Sequence, residues 1–388
     1  MTARTGPTGH WDGGETLAVR FRAHAGNSQH LYGYAMRGMA DDWEAGGPTR
    51  MVCRGYEDAP RGSVIQLRLL AGIFRLVLTD RAPELTPYYP CLGGTEPAAH
   101  AWPVMRAVIA DHLTELNQAL TVAPQTNEVG RAAALLAGLF ELVAASGKRR
   151  IHLLELGASA GLNLLLDHYA FSGSDWRFGP ASSPVQLTGA IRGPVRPELF
   201  DIVARRGCDL HPVDADTAEG QLLLTSFVWP FDLDRHARLA AALTVTAADR
   251  VDVDQASASE WLPTVLAVAD PDILPVVWHS ITQMYWPAEE LSAVEAVLKR
   301  YGANHLLGEV SMEFDLDAPH PAKPELRTRL WNSDTDSSPR QRLLGTAHDH
   351  GIPVRLAIPD RRESVDTDLA QHRLGRPRPT PCCLRQGH

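Results

Sequence analysis

Excess positive charge, paired cysteines and long apolar runs are all missing from this 388-residue chain. Its 37 basic side chains are outnumbered by 46 acidic ones, a formal balance of −9. Nucleic-acid binding leans on Lys and Arg neutralising phosphates, so no nucleic-acid partner is expected. The five cysteines (Cys53, Cys91, Cys208, Cys382 and Cys383) contain no C-x-x-C pair, and neither a zinc knuckle nor a disulfide framework is indicated. The longest apolar helix candidate, Ala132–Ala145, is interrupted by Glu141 and falls short of the ~20 residues a membrane span needs. Met1–Gly14 lacks the apolar stretch of a secretory signal. The expectation is a soluble cytoplasmic protein with no membrane partner.

What is present is an ordinary globular composition, 44% apolar and 21% charged, long enough for a sizeable core. The first third reads as helices. Apolar residues recur at helical spacing over Leu17–Arg37, Ser63–Asp80, Ala98–Leu120 and Glu128–Ser146, with no clear strand before Ile151. From there short apolar runs alternate with helical segments: Ile151–Leu156, Ile273–Trp278, His305–Val310, Leu326–Trp331 and Val354–Ile358, with weaker runs at Ile202–Asp209 and Arg250–Val253. This alternation predicts an α/β protein built on a doubly wound sheet. The division expected is a helical region over 1–124, a Rossmann-like core over 125–360 carrying a Gly-, Pro- and Ser-rich insertion at 171–200, and a mobile tail over 361–388.

The segment Ile151–Asn163 carries the most chemistry: an apolar run ending in Glu155, a small-residue turn from Gly157 to Gly161, then helical character. Such a turn opens bare backbone N–H groups at a helix N-terminus to a ligand. Gly157-Ala158-Ser159-Ala160-Gly161 is also a literal G-x-S-x-G, so a hydrolase with Ser159, Asp315 and His348 in that order is one alternative. A hydrolase elbow follows earlier strands, however, and here the turn closes the first one. A dinucleotide fingerprint is disfavoured because Ser159 stands where its second glycine belongs. The spacing Glu155-x-Gly157-x-x-x-Gly161 resembles the first motif of class I S-adenosylmethionine-dependent methyltransferases. That resemblance implies that Glu155 engages the cofactor's ammonium, while Gly157, Ala158, Ser159 and Gly161 clear space for it.

Two later segments extend this resemblance. Asp209, 48 residues after Gly161 across the insertion, stands where a second-strand acid would take the ribose hydroxyls; otherwise it is a turn residue. Ser257 falls where the family places an acid for the adenine amino group, and otherwise serves as a helix N-cap. Before the turn, Gln125–Arg131 either caps a helix or places Asn127 and Arg131 at the mouth of the sheet, where Arg131 can clamp a carboxylate. His279, at the end of a central run, is the candidate base, and Tyr285 closes the acceptor pocket or simply packs. His348-Asp349-His350 lacks a third ligand, so no metal is expected.

Three segments together, Gln125–Arg131, Leu154–Asn163 and Arg206–Asp214, with Trp229-Pro230 and Ala347–Gly351, resemble the uncharacterised family catalogued as domain of unknown function 2332. The resemblance implies a methyltransferase-type core behind a helical region and names no substrate. The expected function is S-adenosylmethionine-dependent methylation of a small molecule. A catalytically inactive cofactor-binding or interaction protein is the alternative from another class.

Overall fold

The computed structural model describes residues 16–267, 270, 272–315, 323–332 and 338–357. The tail expected at 361–388 lies outside them.

The first third is helical: Leu17–Ala25, Leu31–Glu44, Pro48–Val52, Ile65–Leu78, Ala101–Asp111 and Leu113–Ala119, with Ala132–Ser146 leading into the sheet. The single helix expected over Leu17–Arg37 breaks in two. Gly26 adopts φ 49, and the His30 ring caps the second helix by accepting from Gly33 N–H at 3.0 Å. Phe21, Met36, Phe74 and Tyr89 are sealed in a core that belongs to this region. The later half reaches into it through Trp229 and Phe231. The Phe231 ring stacks on His30 at 4.3 Å between centroids, and Cys91 N–H donates to the Pro230 carbonyl at 2.9 Å. Trp229-Pro230 therefore ties the two halves together.

Twelve strands follow in the described residues: β1 (Arg150–Leu156), β2 (Ala170–Ser172), β3 (Arg177–Phe178), β4 (Gln186–Thr188), β5 (Ile191–Arg192), β6 (Asp201–Asp209), β7 (Val253–Gln255), β8 (Leu274–Ser280), β9 (Leu307–Glu313), β10 (Glu325–Trp331), β11 (Arg340–Thr346) and β12 (Val354–Leu356). Nine form one sheet in the order β5-β12-β11-β10-β9-β8-β1-β6-β7. The block β7-β6-β1-β8-β9 is wholly parallel, and β9 to β12 form an antiparallel meander. The fold is thus mixed α/β around a large, mostly parallel central sheet. The 171–200 insertion is not a plain loop. It supplies the small β3-β2-β4 sheet and the edge strand β5.

Strand period two divides the sheet into two faces. Ile151, Leu153, Val276 and Trp278 share a core with helix Ala132–Ser146, whereas Leu154, Leu156 and Val277 pack with helices Ala258–Leu266 and Ala288–Gly302. Val129–Ser146 is long and apolar enough by composition to cross a membrane, yet 72% of it is buried inside the fold, as befits a core helix. Chain order reverses between β1 and β8, because β6 and β7 extend the sheet one way and β8 and β9 the other. In open α/β sheets the crevice at the carboxyl ends of such neighbours is where ligands bind.

Candidate functional site

The turn after β1 is built as its glycines require, but the chain itself occupies it. Gly157 and Gly161 both take φ 71, a left-handed conformation that favours glycine, and Ser159 also sits at φ 54. Gly157 and Ala158 donate their N–H groups to the Cys208 carbonyl of β6 at 2.9 and 3.0 Å. A Cβ on Gly157 would lie 2.5 Å from Thr282 Oγ1, so Thr282, just past β8, stands against the turn while Gly157 itself stays exposed. The helix expected after it is a seven-residue 3-10 helix, Leu162–His168, and its Leu162 N–H is taken by Asn127 Oδ1 at 2.9 Å. The open helix N-terminus expected from the sequence is therefore absent: Asn127 caps the backbone that a ligand was expected to meet.

Ser159 is buried, and its hydroxyl donates to the Gln125 carboxamide. Among the described residues no imidazole bonds to it, and the hydrolase arrangement of Ser159, Asp315 and His348 gains no support. Asp209 stands at the carboxyl end of β6 as expected. Its Oδ2 accepts from Ser159 N–H at 2.9 Å and its Oδ1 from His211 N–H at 2.8 Å, so it also fixes the two loops it joins. Ser257 stands just past the end of β7, one residue after Ala256, whose N–H donates to the Asp209 carbonyl at 3.0 Å, and its own hydroxyl donates to Glu260 at 2.9 Å. The Ala258–Leu266 helix begins there without a side-chain cap bond.

Glu155 is the group the turn leaves unsatisfied. It is buried, and its Oε1 accepts from Trp278 Nε1 at 3.1 Å and Asn163 Nδ2 at 3.5 Å. Its Oε2 has no partner, nor does the neighbouring Asn163 Oδ1. Burial pushes the Glu155 carboxyl up to about 8, although the two hydrogen bonds and the Arg131 charge pull the other way. Below that pH it is a neutral acid. A buried polar atom without a partner is uncommon and marks a place where one is wanted; once Glu155 ionises, that partner is a donor.

Gln125–Arg131 folds over this edge. Glu128 is clamped by Arg235 and by Arg238 at 3.2 Å, which hold its carboxylate ionised against the cost of burial. Arg131 extends across the carboxyl end of β8, donating Nη1 to the Ser280 carbonyl at 3.1 Å and Nε to the Asp349 carbonyl at 3.2 Å. The loop His348–His350 thus supports Arg131 and the Glu128–Arg235 pair. Burial and the Arg235 charge hold His350 down at about 4, and among the described residues no group of three or more His, Cys, Asp or Glu side chains is placed to bind metal.

His279 is buried on the opposite face from Glu155 and Trp278. Its Nδ1 meets Glu313 at 2.9 Å and its Nε2 meets Glu309 at 3.1 Å. Burial alone would lower its pKa, but these two carboxylates outweigh it and raise the imidazole to about 9. Both nitrogens are committed and the ring is an imidazolium at neutral pH. The proton-accepting role expected for His279 does not follow from this geometry; it is a cation that positions two acids. Glu309 in turn is forked by Arg329, which holds it at about 2 despite burial, and Arg329 pairs with Glu295 at 2.8 Å. Tyr285 is 44% exposed, and its hydroxyl lies near enough to Arg131, Glu313 and Arg68 to feel all three charges.

Glu309, Glu313, Arg329 and Thr282 were not singled out from sequence. Gly308-Glu309-Val310-Ser311-Met312-Glu313 did carry a signal, since two acids four apart in a strand share one face. A groove of about 300 Å³ opens beside the turn at Ala160, between Pro212–Asp216 and Arg250–Asp254. Its arginines are met by its aspartates, Arg206 with Asp254 at 2.5 Å and Arg250 with Asp216 at 3.7 Å.

Among known families, the model described as uncharacterized protein conserved in bacteria (DUF2332) matches residues 15–355. No curated protein and no solved structure matches the chain.

Proposed function

This chain belongs to the DUF2332 family, and from its own geometry we propose that it is an S-adenosylmethionine-dependent methyltransferase acting on a small molecule. The observation that carries the proposal is the unpartnered Glu155 Oε2, buried at the carboxyl end of β1 beside the reversal of chain order. The strand order supports a Rossmann-like core: numbered by appearance, the parallel block reads third-second-first-fourth-fifth.

The residues present fit the cofactor at two points. A methionine ammonium supplies the donors that Glu155 Oε2 and Asn163 Oδ1 lack. Asp209 uses one lone pair of each oxygen on backbone N–H groups, which leaves one on each for a pair of vicinal hydroxyls. When bound, the cofactor supplies an electrophilic methyl group for in-line displacement. The protein's share is alignment and charge. Glu155 changes from neutral acid to carboxylate as a cation arrives, and Arg131 holds the end of β8 in place through Ser280. Thr282 beside Gly157 and Asn127 on the Leu162 N–H hold the turn in shape.

Calorimetry with S-adenosylmethionine, S-adenosylhomocysteine and NAD in parallel tests the reading. The first two are expected to bind and NAD is not. Binding at pH 7 should release close to one proton, read as different heats in phosphate and Tris, because Glu155 ionises. Absence of S-adenosylhomocysteine binding, or binding without proton release, removes the assignment. A second reading, cofactor binding without transfer, is favoured by His279, whose two nitrogens are already engaged.

A further inference from the structure

Two hydrogen-bonding groups at the carboxyl ends of β8 and β9 remain unspent. Glu313 is 9% exposed, and its Oε1 accepts from His279 Nδ1 at 2.9 Å and Thr282 N–H at 3.2 Å. Its Oε2 has no hydrogen-bond partner among the described residues. Arg131 commits Nε and Nη1 to backbone carbonyls and leaves Nη2 without a partner among the described residues. No described carboxylate forms an ion pair with Arg131. The two groups are close. Arg131 bonds to Ser280 and Glu313 bonds to Thr282, two residues apart, and the charges of Arg131 and Glu313 act on each other and on Tyr285.

Glu313 does not move freely. It ends a chain of alternating charge, Glu295–Arg329–Glu309–His279–Glu313, most of it set in strands β8, β9 and β10. Two cations and one carboxylate, Arg131, Arg68 and Glu313, all act on the Tyr285 hydroxyl at this end. An apolar ligand would leave both free groups desolvated and unmet, a bare amine would satisfy only Glu313, and a bare carboxylate only Arg131.

We propose that the Arg131–Glu313 pair is the acceptor subsite, and that the acceptor is a small α-amino or α-hydroxy acid. Its carboxylate takes Arg131 Nη2, and its amine or hydroxyl hydrogen is donated to Glu313 Oε2. The subsite lies on the β8–β9 side of the Glu155 position and rests on the transferase reading above. Glu313 is the binding carboxylate, and His279 is a positioning residue behind it.

The test is thermal-shift and calorimetric titration of the full chain with the twenty L-amino acids and with L-lactate and L-malate. Each binder is compared with its methyl ester and with the parent acid lacking the amino or hydroxyl group. A free amino or hydroxy acid should bind, and loss of either group should weaken it roughly 10- to 100-fold. Whether amino or hydroxy acids bind decides which donor the subsite takes. Glu313→Gln should erase the preference over the parent acid while leaving S-adenosylhomocysteine affinity unchanged. Glu155→Gln should do the reverse. Arg131→Lys, which keeps the charge and loses the planar fork, should weaken every carboxylate ligand. Failure of all the acids to bind, or binding indifferent to both Arg131→Lys and Glu313→Gln, overturns the subsite. Loss of S-adenosylhomocysteine binding in Glu313→Gln assigns the pair to the cofactor and overturns it too. If S-adenosylhomocysteine does not bind while an acid binds with these dependences, the cofactor reading falls and the subsite stands.

Discussion

Glu155→Gln should flatten the fall in stability that the wild-type protein shows between pH 6 and pH 8. The folded protein holds the Glu155 carboxyl at about 8 against an ordinary value of 4.5. The fold therefore favours the protonated form. Its contribution is fully present below 4.5 and is lost progressively as pH rises through 8. At ~1.4 kcal/mol per pH unit, the loss is about 2 kcal/mol by pH 6 and about 4 kcal/mol by pH 8. These figures are upper bounds, because a relaxing site admits water. Glutamine has nearly the shape of the neutral acid, keeps an oxygen for Trp278 and Asn163, and does not titrate. Below pH 4.5 the variant should lie close to wild type, and by pH 6 it should already be about 2 kcal/mol the more stable. Between pH 6 and pH 8 it should gain about 2 kcal/mol on wild type, roughly 2–3 °C in melting temperature for a chain of 388 residues. Scanning calorimetry of both proteins across this range measures it. Parallel profiles would mean that Glu155 is already ionised in the fold and that its second oxygen has a donor. A large loss at pH 6 would show that Oε2 is not the orphan proposed.

His279→Asn should cost about 3–5 kcal/mol, since it leaves Glu309 and Glu313 buried without their shared cation. The wild-type contribution of this imidazolium should be whole below pH 6.5 and lost as pH rises through about 9, checked by denaturant titration at pH 6 and 10. Arg235→Ala leaves the buried Glu128 carboxylate with Arg238 alone and should destabilise by less than the loss of a sole partner, about 1–3 kcal/mol, with increased proteolysis within Gln125–Arg131. Ser159→Ala removes one buried hydrogen bond and should cost about 1 kcal/mol, and neither protein should react with a fluorophosphonate probe; labelling that depends on Ser159 would restore the hydrolase.

Much of the fold was legible because burial leaves a period in the sequence. The run Ile151–Leu156 lies within β1 and Ile273–Trp278 overlaps β8, both sealed on two faces and so almost continuously apolar. β11 was missed for the complementary reason. Arg340-Gln-Arg-Leu-Leu-Gly-Thr346 buries little and pairs only within the antiparallel meander, so its apolar signal is weak. The site was legible at the strand ends, where Glu155, Asp209 and His279 fall at or near the carboxyl edge. What each side chain does there was not. His279 follows Trp278 by one residue, which turns it to the other face of the sheet, and its acids come from a strand 30 to 34 residues later. Local pattern fixes which face a residue takes, but partners come from topology.

On the proposed reading, the filled turn changes which part of the molecule recognises charge. A long helix after β1 would present free N–H groups and a positive dipole to an anion. Here only seven residues of 3-10 helix follow, and Asn127 already accepts from the first of them. Neither the dipole nor the bare backbone is on offer. The work falls to side chains imported from elsewhere in the chain: Arg131 from the segment before β1, Glu313 from the end of β9, and Glu155 from β1 itself. Two of these are held by other protein groups rather than by each other, Arg131 by the Ser280 and Asp349 carbonyls and Glu313 by His279 and Thr282. Had the site been only structural, Arg131 and Glu313 could have satisfied one another directly, since their charges already interact. Each is instead anchored on one side and left open on the other. That arrangement costs stability in a fold with no ligand, and its compensation is a pair of complementary, preorganised groups at the sheet edge.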